Sequence, residues 1–312
     1  MRRDMPAQQR RQFLQWLAGL GATVTLAPGF ATPKPAAIMK VIPVSGEKIP
    51  VIGMGSWLTF DVGANEAARA VRVQVLQTFF DQGGALIDSS PMYGSAQEVI
   101  GHCLRQIQDQ KALFAATKVW IYGRWLGIKQ MEAAQQLWGV TRFDLMQIHN
   151  MLDWQGHLET LKAWKAEGRI RYIGITTSHG RRHPDMERAL AKEQFDFVQF
   201  TYNLADRDAE QRLLPLAAKR GVAVIINRPF DGGALFGSVR GKPLPAWAAE
   251  FDCTNWAQFF LKFVVSHPAV TCAIPATSQV AHMQENMGAG FGRLPNADTR
   301  QRMISHYAKL TR

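Results

Sequence analysis

Short apolar runs recur along the chain near residues 51–55, 84–88, 112–118, 143–149, 170–176, 196–201, 222–227 and 270–274. Runs of this length with few polar interruptions fit strands buried on both faces. Between them the apolar spacing is helical. Val71, Val75, Leu76 and Phe79 share one face ahead of a stop at Gly83-Gly84, and Leu158, Leu161 and Trp164 share one ahead of Gly168. The pattern predicts eight strand–helix units. Strands separated by helices pair in parallel, and eight of them over roughly 260 residues match the size of a closed (β/α)8 barrel. The competing arrangement is a doubly wound open sheet, which places a GxGxxG turn after its first strand. Gly53-Met54-Gly55-Ser56-Trp57 lacks the third glycine and the helix start. Ahead of the first unit, residues 41–52 read as two short strands around a Ser45-Gly46 turn, an N-terminal β-hairpin. Residues 231–253, with Gly232, Gly233, Gly237, Gly241, Pro243 and Pro245, form the longest stretch without periodicity. In a barrel they become an extra loop over the seventh strand, on the face where barrels carry their chemistry.

A chain of 312 residues that is 47% hydrophobic and 20% charged is neither disordered nor fibrous. The formal charge is +11, of which Arg2, Arg3, Arg10, Arg11 and Asp4, all within the first 31 residues, contribute +3. The other basic residues are scattered, with no tract interleaved with aromatics, which speaks for a solvated basic face and against a nucleic-acid surface. Cys103, Cys253 and Cys272 are too few and too far apart for a disulfide framework or a CxxC zinc site, so buried free thiols and no metal centre are expected. No run of eighteen apolar residues predicts a membrane span.

The N-terminal segment has its own logic. Arg10-Arg11-Gln12-Phe13-Leu14 precedes a mildly apolar stretch from Trp16 to Ala27 and then Pro28-Gly29-Phe30-Ala31. A basic end, a short apolar core and a small-residue cleavage site are the three parts of an export signal. The paired arginines followed by Phe-Leu resemble the twin-arginine signal, an address that machinery for exporting folded proteins reads. Residues 1–31 are then a signal peptide, residues 32–312 the barrel, and the destination periplasmic. The alternative is an amphipathic helix packed on a cytoplasmic protein.

Barrel strands are apolar throughout, so polar residues at their C-terminal ends carry information. Asp88 ends the second strand, with Tyr93 in the loop after it; Lys118 ends the third and His149 the fourth. Each has a bland explanation on its own: a helix cap, a surface ion pair, packing, a satisfied core histidine. Four such residues at the same end of three neighbouring strands converge on one pocket. The chemistry that uses them together is proton donation to a carbonyl oxygen. A phenol with a reference pKa of about 10 needs an adjacent cation to favour its ionised form. Lys118 supplies that cation, Asp88 orients it, and His149 donates a hydrogen bond to the substrate oxygen. With no paired serine or cysteine nucleophile in view, a hydride from a cofactor completes the scheme.

The motifs resemble those of aldo-keto reductases over nearly all of residues 40–290. They are Gly46-Glu47-Lys48-Ile49-Pro50, Asp88-Ser89-Ser90-Pro91-Met92-Tyr93-Gly94, Thr117-Lys118-Val119-Trp120, Gln147-Ile148-His149, Ile173-Gly174-Ile175-Thr176 and Ile274-Pro275-Ala276-Thr277-Ser278 with Glu285-Asn286. The resemblance implies a (β/α)8 barrel that binds NADP without a Rossmann fold, NAD being the alternative, and a tetrad of Asp88, Tyr93, Lys118 and His149 with Tyr93 as general acid. It further implies that Gln199 bonds the nicotinamide carboxamide and that Thr176 and Thr177 stand where the family has a Ser-Asn pair. Asn227 replaces a stacking tyrosine, and Arg228 beside it could reach the pyrophosphate by charge-assisted bonds. Glu285 and Asn286 match residues at the adenine end, Thr277 and Ser278 could bond a 2′-phosphate, and His282 stands where some branches have arginine. Trp57 and Trp120 are candidate walls for a small carbonyl substrate. Two other readings remain open here: a non-catalytic nicotinamide-binding module that senses redox state, and a barrel hydrolase or lyase whose nucleophile or metal ligands are not apparent.

Overall fold

In the computed structural model, which describes residues 36–311, an antiparallel pair comes first, β1 (Met39–Val41) and β2 (Lys48–Pro50), with Lys40 opposite Ile49. Eight parallel strands follow in sequence order: β3 (Met54–Gly55), β4 (Leu86–Asp88), β5 (Phe114–Val119), β6 (Phe143–Ile148), β7 (Ile170–Thr176), β8 (Phe197–Thr201), β9 (Ala223–Asn227) and β10 (Cys272–Ala273). The first and last of the eight are also joined. Gly53 N donates to Ala273 O at 2.8 Å, Gly55 N to Pro275 O at 3.0 Å, and Ala273 N to Val51 O at 2.9 Å. The ring is therefore the expected (β/α)8 barrel, and its seam needs glycine for space. A Cβ at Gly53 would lie 2.8 Å from Leu86 O, and one at Gly55 2.8 Å from Ile274 O. Residues 1–31, read from the sequence as a twin-arginine signal, lie outside the described residues.

Around the ring run α1 (Glu66–Asp81), α2 (Ala96–Leu104), α3 (Arg124–Trp138), α4 (Trp154–Ala166), α5 (His183–Lys192), α6 (Leu213–Arg220), the short α7 (Ala234–Ser238), α8 (Trp256–Val265), α9 (Val280–Gly288) and α10 (Ala297–Leu310). Helix α1 starts where the Asn65 side chain accepts the Ala68 N–H at 2.9 Å, and it stops before Gly83 at φ +81°. Val75, Leu76 and Phe79 are buried as their spacing predicts, but Val71 is 38% exposed. One turn before Leu76 the inward position belongs to Arg72, whose guanidinium reaches the backbone carbonyls of Thr59 and Ser278. Residues 231–253 are not a plain loop. They contain α7 between two 3₁₀ turns, Asp231–Gly233 and Ala246–Phe251, anchored by buried Leu235, Ala248 and Phe251. Each piece is shorter than the two turns over which a helical period becomes visible.

Side chains inside the barrel alternate with those facing the helices. Leu86, Phe114, Ala116, Leu145, Tyr172, Phe197, Ala223, Ile225 and Cys272 form one inner core, which Ile42 and Ile49 of the hairpin segment join. Two residues further along their strands the same inward register brings Asp88, Lys118, Gln147, Gln199 and Asn227 to the C-terminal end. Outside the ring, Lys40 and Lys262 are each held by three backbone carbonyls. Lys40 donates to Val265, His267 and Val270, and burial lowers its pKa to about 8. Lys262, fully buried, donates to Phe251 at 2.8 Å, Phe291 at 2.7 Å and Arg293 at 3.0 Å. The three cysteines are free and buried, and among the described residues no helix is long and apolar enough to cross a membrane.

Candidate active site

Strand register assembles the floor of the site. Lys118 pairs with Gln147 across β5 and β6, and Thr176 with Gln199 across β7 and β8. Lys118 and Asp88 form a fully buried ion pair, and the ammonium also donates to Ser89 O at 2.8 Å. The other carboxylate oxygen of Asp88 accepts Gln147 Nε2 at 2.8 Å and Gln199 Nε2 at 3.1 Å, and Gln199 Nε2 also reaches Gln147 Oε1 at 3.1 Å. Gly174 makes room for this layer, since a Cβ there would lie 2.7 Å from Gln147 Cγ. A charge pair this deep persists only when its remaining lone pairs and protons are satisfied, which the two amides and the carbonyl accomplish. Burial acts to lower the Lys118 pKa, but Asp88 and Tyr93 outweigh it and hold the ammonium above its usual range.

Above the floor stand Tyr93 and His149. The Lys118 ammonium is 5.1 Å from the centroid of the Tyr93 ring, and the phenol and imidazole meet edge to face with centroids 5.6 Å apart. Burial pushes the Tyr93 phenol up, and Lys118 pulls it down by less, so its hydroxyl keeps its proton. Lys118 therefore acts in the direction the sequence suggests without reversing the net shift. Burial, followed by the Lys118 charge, pushes the His149 imidazole down to about 2, so it is neutral. Its Nδ1 lies 2.7 Å from Ser90 Oγ. The arrangement offers two neutral donors, a phenol and an imidazole, side by side over a locked cation.

Both donors line a cavity of about 340 Å³ at the C-terminal mouth of the barrel. Trp57, Leu58, Met92, Phe230 and Phe236 are its apolar walls, and Asp88, Thr176, Gln199, Asn227 and Arg228 also reach it. Trp120 is outside that lining, but its ring centroid is 6.3 Å from that of His149. A second cavity of about 510 Å³ shares Phe230, Phe236 and Ala276 with the first and is lined by Thr277, His282, Glu285 and Asn286. Two residues named from the sequence are turned elsewhere. Strand alternation points Thr176 and Ser178 to the cavity and Thr177 away from it, where its hydroxyl donates to Arg181 O at 2.5 Å. Ser178 and His179 occupy that rim instead. Ser278 lines neither cavity, and its carbonyl accepts from Arg72. Ser90 and Gln147 were not singled out in the sequence, although both sit inside quoted motifs and Gln147 has the inward parity of its strand.

The donors needed for a dinucleotide are partly committed and partly free. Asn227 Nδ2 donates to Thr177 O at 2.9 Å, while its Oδ1 accepts from Thr201. Arg228, at φ +49°, pairs with Asp231 at 2.7 Å, yet its buried Nε has no partner. Its guanidinium lies against Gly232 and lines the first cavity, which shares Phe230, Phe236 and Ala276 with the second.

The model of the aldo/keto reductase family matches residues 51–302. A probable aldo-keto reductase of Glycine max is 25% identical over 276 residues, covering 73% of this chain and 77% of its own. An NADH-specific methylglyoxal reductase of Escherichia coli is 24% identical over 253 residues, covering 67% and 73%. Among solved structures, an aldo/keto reductase of Klebsiella pneumoniae in complex with NADP and acetate superposes with a TM-score of 0.74 at 23% identity, covering 86% of this chain and 95% of that one.

Proposed function

We propose, from the premise that the chain belongs to the aldo/keto reductase family and is an NAD(P)-dependent oxidoreductase, that it reduces a neutral, apolar aldehyde or ketone to the alcohol with Tyr93 as general acid. The observation that carries this reading is the convergence of Asp88, Tyr93 and His149 at one cavity, with Lys118 buried beneath it against Asp88. When bound, the reduced nicotinamide supplies a hydride to the carbonyl carbon. The π bond of the carbonyl breaks toward oxygen, and that oxygen takes the Tyr93 proton while accepting a hydrogen bond from His149. Lys118 stabilises the tyrosinate left behind, and Asp88 with Gln147 and Gln199 keeps the ammonium in place. The apolar walls contributed by Trp57, Leu58, Met92 and Phe236 carry no charge, which favours a neutral substrate.

The cofactor in this reading is NADP, as in the Klebsiella relative, with NAD the alternative that the Escherichia relative illustrates. Gln199, Thr176 and Asn227 would hold the nicotinamide end, Arg228 the pyrophosphate, and Thr277, His282, Glu285 and Asn286 the adenosine end. The test is turnover of a panel of neutral carbonyls with NADPH and with NADH. Tyr93→Phe keeps the ring and loses the proton, so it should retain cofactor affinity while activity falls by ~10²–10⁴. Wild-type turnover in that variant refutes the mechanism, and cofactor binding without turnover of any carbonyl by the native protein supports a binding module instead.

The reading of residues 1–31 as a twin-arginine export signal, with a periplasmic destination, rests on Arg10-Arg11-Gln12-Phe13-Leu14 and the apolar stretch after it. Fractionation of cells expressing the full chain and an Arg10→Lys, Arg11→Lys variant tests it. Equal cytoplasmic accumulation of both overturns the reading.

A further inference from the structure

The turn between Asp88 and Tyr93 contains a side chain that hydride transfer and proton donation do not themselves require. Ser90 Oγ lies 2.7 Å from His149 Nδ1, and both residues are buried. The same oxygen accepts the Met92 N–H at 3.2 Å, and the Ser90 carbonyl accepts the Tyr93 N–H at 3.0 Å. One residue thus holds the backbone of the phenol and the ring of the imidazole.

A hydroxyl has one proton and two lone pairs, and a neutral imidazole has one N–H and one bare nitrogen. With a lone pair of Ser90 facing Met92 N–H, the hydroxyl proton has one acceptor among the described residues, His149 Nδ1. The opposite tautomer would aim two donors at one oxygen and leave the buried hydroxyl proton without an acceptor. With its Nδ1 edge against Ser90, His149 turns its Nε2 edge to the cavity it lines.

We infer that Ser90 is a positioning residue: its hydroxyl donates to Nδ1 and holds His149 as the Nε2–H tautomer, the form that donates a hydrogen bond to a carbonyl oxygen in the cavity. The geometry carries this assignment, and only its kinetic consequence rests on the proposed reductase activity. It also explains why an imidazole beside an ammonium works as a neutral donor and not as an acceptor.

Histidine-selective ¹⁵N labelling of the NADP-loaded full chain, with His149 assigned by difference against His149→Gln, reads the tautomer directly. The expected spectrum of the native protein has a protonated Nε2 and a bare, downfield Nδ1. Ser90→Ala should shift His149 toward the Nδ1–H form or an average of the two. Its kcat should fall about tenfold, the size of one neutral hydrogen bond lost at the transition state, with NADPH affinity unchanged. Ser90→Thr, which keeps the hydroxyl, should restore both the spectrum and kcat. A protonated Nδ1 in the native protein, or a His149 spectrum unaltered by Ser90→Ala, overturns the inference. So does a parallel loss of kcat and NADPH affinity that Ser90→Thr does not rescue, since that marks a structural role. Failure of the reductase reading itself would instead appear as a native protein that binds NADPH and turns over no carbonyl, and failure of the Tyr93 role as wild-type turnover in Tyr93→Phe, with the spectral result on Ser90 standing on its own.

Discussion

Acid should destabilise this protein through His149, and the size of the effect can be worked out. The imidazole is 5% exposed, and its folded pKa of about 2 lies far below the ordinary value of 6.5. The unfolded chain therefore binds a proton at this site below pH 6.5 that the folded chain refuses, so stability falls as the pH drops toward 2. One proton of difference costs about 1.36 kcal/mol per pH unit, which amounts to about 2 kcal/mol between pH 7 and pH 5. His149→Gln keeps a side chain that can hydrogen-bond Ser90 and removes the titration. Urea unfolding of the native protein and this variant at pH 7, 6 and 5 should show the native protein losing about 2 kcal/mol more over that range. Parallel acid slopes would mean that His149 titrates no differently folded than unfolded, and a native protein that gains stability toward pH 5 relative to the variant would mean that His149 is charged in the folded state. Either result refutes the reasoning from burial.

Lys118→Met withdraws the cation that pulls the Tyr93 phenol down, so the alkaline limb of the pH–rate profile should move to higher pH, and an unchanged profile would make Lys118 purely structural. Arg228→Ala should weaken NADH and NADPH alike, by roughly 10- to 100-fold for a lost charge-assisted bond, whereas a loss confined to NADPH in titrations would place Arg228 at the 2′-phosphate. Lys262→Met matches the apolar stem but leaves three backbone carbonyls without their donor; a loss on the order of 3 kcal/mol in thermal or urea unfolding is expected, with little change in kcat.

Each strand was visible in the chain because both faces of a barrel strand are buried, which leaves a short apolar run between helical patterns. Edges were less legible. The inward stripe of α1 continues through Arg72 because a long side chain can bury its stem and pair its head, and apolar spacing alone favours Val71. Asp88, Lys118 and His149 stood out because a polar residue at the end of an apolar strand is conspicuous one residue at a time. Their supports were not legible as supports: Gln199 is read from the sequence only toward the nicotinamide, and the contacts of Gln147 and Gln199 with Asp88 depend on which strands are neighbours and in what register, which no single run of sequence contains. Thr177 shows the same limit at shorter range: its type suits a cofactor contact, and its place one residue past the end of β7 turns it away, toward Arg181 O.

The seam of the barrel has a consequence for how the protein is made. It joins residues 51–55 to residues 273–276, segments separated by more than two-thirds of the chain, through backbone hydrogen bonds that tolerate no side chain at Gly53 or Gly55. A chain emerging from the ribosome therefore carries β3 as an open strand edge during most of its synthesis, and the ring cannot shut until Ile274 and Pro275 are free to dock. Truncation before β10 would leave two exposed edges, on β3 and β9, each a template for pairing with another nascent chain.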